Sequence, residues 1–231
     1  MILFQFLLGA SLASFLNLTV TRNLRHESII SPRSHCDKCK EPLPICDLIP
    51  VINYVFLKGK CRFCHQRIPL SSPILELMLG ICFSVTQFRP TTIPSLLNLL
   101  ILTHLSLFDF KRKQLPIWGI LGLLIVCLLS CHHTCYQLLI AGLLYCLCLA
   151  LNYRQLFVGN GDIDVFFCLW ICLSISHLLW ISSIACVSAL LYLIIAPWPK
   201  DNKIPFVPFI TVGYFIVVHY ANILIPLITG S

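Results

Sequence analysis

Charge is scarce in this sequence. Only 11% of its 231 residues are Asp, Glu, Lys or Arg, and the acidic ones number nine. A soluble domain of this length needs far more polar surface, so the composition excludes one. A hydrophobic share of 58% and a mean hydropathy of +0.89 are those of a membrane protein. Other absences narrow the choice. The first apolar segment, MILFQFLLGASLASFLNLTV, lacks the basic start of a secretory signal and reads as a retained span. No internal repeat or low-complexity tract appears, which excludes a solenoid. No glycine-rich nucleotide fingerprint can be read either.

What is present is a series of apolar runs, at about 2–20, 73–88, 93–110, 115–130, 136–153, 163–179, 180–197 and 206–228. They predict an all-α, polytopic bundle of about eight transmembrane helices in a lipid bilayer, with the division near His177 to Trp180 the weakest. Three segments result: a first transmembrane helix at 1–21, a polar loop at 22–72 and a bundle at 73–231. The basic residues orient it. Arg22, Arg25, Arg33, Lys38, Lys40, Lys58, Lys60, Arg62 and Arg67 lie in the polar loop, and Lys111, Arg112, Lys113, Arg154, Lys200 and Lys203 lie in loops that eight spans place on the same side. Only Arg89 is opposite. The positive-inside rule then predicts both chain ends outside and the basic loops in the cytoplasm, and it accounts for the charge without a nucleic-acid partner.

The polar loop contains CDKC and CRFC. Cys36, Cys39, Cys61 and Cys64 form two close thiol pairs, each able to give two ligands from one tight turn, and together they suit a tetrahedral structural zinc in a small zinc-ribbon-like loop. Four thiolates leave no position for a catalytic water. Two disulfides are the alternative, disfavoured in a cytoplasmic loop. His35 and His65 stand beside the cysteines as substitute ligands. Most other cysteines lie in spans as small apolar residues, and Cys131 and Cys135 flank HHT without an assigned bridge.

Four acidic residues lie in or against spans: Glu76, Asp109, Asp162 and Asp164. Ionisable groups there are costly and mark function. Asp109, in LSLFDFKRKQLP, ends the third span and Asp162, in LFVGNGDIDV, begins the sixth, so the topology brings two carboxylates to one membrane face. Packed together, they can share a proton, one acting as base toward water and the other as acid toward a carbonyl. Gly159 and Gly161 allow close backbone approach beside such a site. Asp164, two residues on, points away on a helix. The plain alternative pairs Asp109 with Lys111 to Lys113 and has Asp162 cap its helix.

With those residues in place, the chain resembles the type IV prepilin peptidases of the competence pseudopilin branch. GASLASFLNLTVTR is similar to that family's first span, PRSHCDKCKEPLPICDLIPVINYVFLKGKCRFCHQRIP to its cysteine loop, DFKRKQLP and GNGD to its two aspartate segments, and KIPFVPFI to its last cytoplasmic turn. The resemblance implies an aspartic endopeptidase of the plasma membrane of a bacterium. It would remove a basic leader from prepilin or pseudopilin proteins, with Asp109 and Asp162 as the catalytic pair and Gly159 and Gly161 in their loop. It also implies S-adenosylmethionine as donor for methylating the new N-terminus. Asp164 departs from the family's usual lysine and Val207 from a common glycine, while Asp47 and Glu76 match family positions as structural or substrate residues. Competing readings are an ion-coupled transporter, since membrane carboxylates also relay ions, and a non-enzymatic zinc-loop scaffold of a pilus or secretion assembly.

Overall fold

The computed structural model describes residues 1–31, 33–131, 133–152, 159–195 and 204–229, with the backbone alone for residues 45, 46 and 221–229. Arg154, Lys200 and Lys203, used to orient the chain, lie outside the described residues. The chain divides into two packed units, Met1–Phe88 and Arg89–Ser231.

In the first unit, α1 (Ile2–Leu24) packs on α3 (Ser71–Val85), and the polar loop between them holds the short helix α2 (Ile52–Phe56). Small residues allow the two long helices to touch: Ala10 and Ala13 are fully buried, and a Cβ on Gly9 would come within 2.6 Å of the Leu79 carbonyl. Close backbone approach of this kind is how helices associate in lipid, where no hydrophobic force separates them from their solvent.

The second unit contains α4 (Ile93–Arg112), α5 (Ile117–Leu129), α6 (Cys135–Leu151), α7 (Asn160–Cys172), α8 (Ile175–Ile195) and α9 (Val207–Thr229). Two of the helix ends have a clear local cause. At the head of α6, Thr134 and Gln137 form a reciprocal capping box, while α4 ends where Lys113 turns left-handed with φ 55°. Neighbours pack in the order α6, α7, α5, α4, α9, α8.

A helix stands in each of the eight apolar runs. Three of them, Ile2–Leu24, Ile93–Arg112 and Ile175–Ile195, are long and apolar enough to cross a membrane; α9 kinks at Tyr220, which leaves Val207–Tyr220 shorter, as are Ser71–Val85, Ile117–Leu129 and Cys135–Leu151. The division expected near residues 177–180 falls earlier, at Leu173, whose extended backbone ends α7. The polar residues Ser174, Ser176 and His177 mark the region, and it is Ser174, bonded through Oγ to His177 Nδ1, that opens α8.

Candidate active site and metal centre

The two cysteine turns are built alike. In the first, Cys36 N–H donates to the Glu41 carbonyl at 3.0 Å and Lys40 N–H to the Cys36 carbonyl at 3.0 Å; in the second, Cys61 N–H donates to Gln66 at 2.8 Å and His65 N–H to Cys61 at 3.1 Å. A single β-bridge closes each, His35 with Pro42 and Lys60 with Arg67. The fourth residue after each leading cysteine, Lys40 (φ 60°) or His65 (φ 53°), adopts a left-handed backbone. That reversal turns both thiols of a pair to the same side.

The four sulfurs lie within 4.8 Å of one another, with Cys36 Sγ and Cys64 Sγ 3.7 Å apart. A tetrahedral zinc with Zn–S bonds of about 2.3 Å places its sulfurs about 3.8 Å apart, so the thiols present fit the ion. The described cysteines are free thiols. The backbone N–H of Cys39 pulls the Cys36 thiol down to about 7, which favours the thiolate a metal requires. His35 instead turns Nδ1 to the Arg33 carbonyl, 3.0 Å away. Around the cluster, Arg25 pairs with Asp37 at 2.6 Å, and this guanidinium holds the Asp37 carboxyl below its usual range. The buried Arg22 donates to the carbonyls of Ser28, Ile29 and Arg33, tying the loop to the end of α1.

A cavity of about 950 Å³ opens in the first unit, lined by Asn17, Tyr54 and Glu76 among others. On its wall, Asp47 is gripped by both sides of the Arg62 guanidinium. Val51 takes φ 61° and ψ −52°, and Ile52 N–H reaches back to the Pro50 carbonyl at 2.6 Å, forming a γ-turn of the rare, strained hand. Glu76 steadies it by accepting the Val51 N–H at 2.9 Å. Sequence reasoning assigned Asp47 and Glu76 only through family positions, and nothing in the order of residues marked Val51.

In the second unit, Asp109 ends α4 on its buried face and Asp162 occupies the first turn of α7. The charge of Asp109 bears on Asp162. A glycine makes the approach possible: a Cβ on Gly161 would meet the Leu115 side chain at 2.7 Å, just beyond the end of α4. Gly159 caps α7, and Asp162 bends back toward the Gly159 backbone N–H. Asp109 is 8% exposed and accepts the Val207 N–H at 3.0 Å, a partner that no sequence pattern named. Asp164 does not join the pair. It accepts the Tyr145 hydroxyl at 2.7 Å, and the Tyr145 ring stacks on Phe167 with centroids 4.4 Å apart.

Apolar helices, a four-thiol loop, a buried aspartate near the end of α4 and a half-buried one in the first turn of α7 are the features of a membrane protein with candidate aspartyl and metal sites. Residues 7–89 match the bacterial peptidase A24 N-terminal domain. The chain is similar to prepilin leader peptidase/N-methyltransferases of Myxococcus xanthus (32% identity, 49% of this chain and 35% of the relative), Bacillus subtilis (38%, 36% and 34%) and Neisseria gonorrhoeae (27%, 87% and 76%). Over these regions it is similar to the prepilin leader peptidases. The matched regions span about a third of the first two relatives and three quarters of the third. No solved structure matches the chain.

Proposed function

We propose that this protein is a membrane aspartic endopeptidase that cleaves the basic leader from prepilin-like proteins, including competence pseudopilins. What supports the reading is that Asp109 stands near the end of α4 and Asp162 in the first turn of α7, whose Gly161 packs against Leu115 just beyond α4. Two interacting carboxylates can divide one proton, so one activates water while the other protonates the scissile carbonyl. The relatives' names support this substrate class. A prepilin has a basic leader beside an apolar helix, so its scissile bond lies at the membrane boundary. The basic loops argue for the cytoplasmic boundary of the plasma membrane, with both chain ends outside. Gly159 and Gly161 are the catalytic-loop glycines of this reading, and Cys36, Cys39, Cys61 and Cys64 hold a structural zinc.

Methyl transfer is a second reading, favoured by the cavity of the first unit. Its volume of about 950 Å³ is within the range of small-molecule sites. Tyr54 offers a flat ring, and Asn17 and Glu76 offer polar groups, for a nucleoside-sized donor. S-adenosylmethionine would supply a methyl group on a sulfonium. The residues of the cavity would hold it and keep water from it.

Incubating the purified protein with a prepilin, with and without S-adenosylmethionine, tests both readings by mass spectrometry. Cleavage is expected without the cofactor, and a further gain of one methyl group with it. Cleavage that strictly requires the cofactor would overturn their separation. Processing that survives Asp162→Asn would favour the scaffold.

A further inference from the structure

The segment Pro205-Phe206-Val207-Pro208 leads into α9. Neither proline carries an N–H, so the turn offers only those of Phe206 and Val207. The next two amides are committed, because Phe209 and Ile210 donate to the Phe206 carbonyl at 3.0 and 3.2 Å. Of the two that remain, Val207 N–H donates to Asp109 Oδ2 at 3.0 Å, and Phe206 N–H faces the same carboxylate. One turn deeper the same two helices are locked in register. Ser106 and Thr211 share a hydrogen bond of 2.6 Å, and Thr211 Oγ1 reaches the Leu102 carbonyl at 3.3 Å. Ser106 precedes Asp109 by one turn and Thr211 follows Val207 by one turn, so this pin fixes how the amide pair meets the carboxylate.

We propose that this proline-bounded turn is the positioning element of the aspartyl pair, its amides fixing Asp109 as the ionised, water-activating member while Asp162 carries the shared proton. The inference rests on the peptidase reading and divides the roles within it. Amide N–H groups only donate, and an ionised carboxylate only accepts, so two amides match the charged form. The N–H that Asp162 meets belongs to Gly159 of its own helix cap, and its other neighbour is the charge of Asp109. Among the described residues, Lys113 at the end of its own helix bears on Asp109, and Asp109 in turn bears on Asp162; α5 and α9 carry no Asp, Glu, Lys or Arg.

The chemistry then balances. Asp109 takes a proton from water as the water oxygen bonds to the carbonyl carbon, and Asp162 gives its proton to the carbonyl oxygen, leaving a gem-diol. As the C–N bond breaks, Asp109 passes its proton to the departing nitrogen and a diol hydroxyl returns one to Asp162. An acid and an amine leave, and the pair is restored.

Val207→Pro tests the proposal, because proline is accepted at the first position of a helix and removes only the N–H. The full-length protein in detergent would be assayed on a peptide with a basic leader and an apolar helix, beside Val207→Ala, which keeps the N–H. The expected result is a fall in kcat of about tenfold to a hundredfold for Val207→Pro with KM unchanged, and recovery of most of the rate in Val207→Ala. Val207→Pro within about threefold of wild type, or Val207→Ala equally slow, overturns it. Should Val207→Pro not fold, a backbone ester at residue 207 removes the same hydrogen and is read against the same two results. Asp109→Asn in parallel keeps the two readings apart. If wild type does not cleave, the peptidase reading fails; if wild type cleaves, Asp109→Asn does not and Val207→Pro does, only the division of roles fails.

Discussion

In the first unit the four thiols come from two turns of one design, each fixed by hydrogen bonds that span nine residues or fewer. In the second unit the two carboxylates come from different helices, and each is held at a helix start: Asp162 at its own, Asp109 at that of α9. The thiol cluster is thus assembled locally, and only the meeting of its two halves is long-range. The aspartyl pair is long-range throughout. Local assembly tolerates change in the surrounding helices, whereas a site made by packing depends on every helix that frames it.

Breaking the second site should have the largest effect. Asp109→Asn and Asp162→Asn each keep the shape of the side chain but cannot exchange a proton, so leader cleavage should fall by about a thousandfold or more. The zinc content should be unchanged. Asp164→Asn, whose partner is Tyr145, should cost far less. Full processing by either of the first two variants, seen as the cleaved mass, would remove the pair from the mechanism.

Breaking the first site should give the reverse pattern. Cys36→Ser or Cys61→Ser should lower zinc from about one ion per chain and open the 22–72 loop to proteases before cleavage activity declines. Metal analysis and limited proteolysis measure the two sides. Thiols that react with alkylating reagents only after reduction would point to disulfides instead.

A smaller effect is expected at the cavity wall. Glu76→Ala removes the acceptor of the Val51 N–H, and an unsatisfied buried donor costs about 1–3 kcal/mol. Faster hydrogen exchange confined to the stretch around Val51, with zinc retained, would be the sign. Unaltered exchange there would mean that the γ-turn holds itself.

The smallest change sharpens the likeness of the two cysteine turns. Lys40 and His65 occupy left-handed positions that cost a side-chain-bearing residue about 1 kcal/mol, partly offset by the chain entropy that glycine loses on folding. Lys40→Gly or His65→Gly should therefore stabilise the loop by a few tenths of a kcal/mol, read as slower zinc loss to a chelator. Opposite signs for the two would show that the turns are alike in shape but not in strain.

The sequence by itself determined the features that depend on nearby residues or on composition. The C-x2-C spacing placed two thiols on each tight turn, the apolar runs marked each long helix, and the cost of charge in lipid drew attention to Glu76, Asp109, Asp162 and Asp164. Tertiary structure alone decided what depends on packing. It set the break at Leu173, at the near edge of the polar stretch Ser174 to His177 and not at its far edge. It gave Asp164 to Tyr145, and it turned the Val51 backbone left-handed beneath Glu76. It also brought the Val207 amide to Asp109. Backbone amides have no letter in a sequence; their partners are chosen by the helices that pack around them, and that choice is made only when the chain folds.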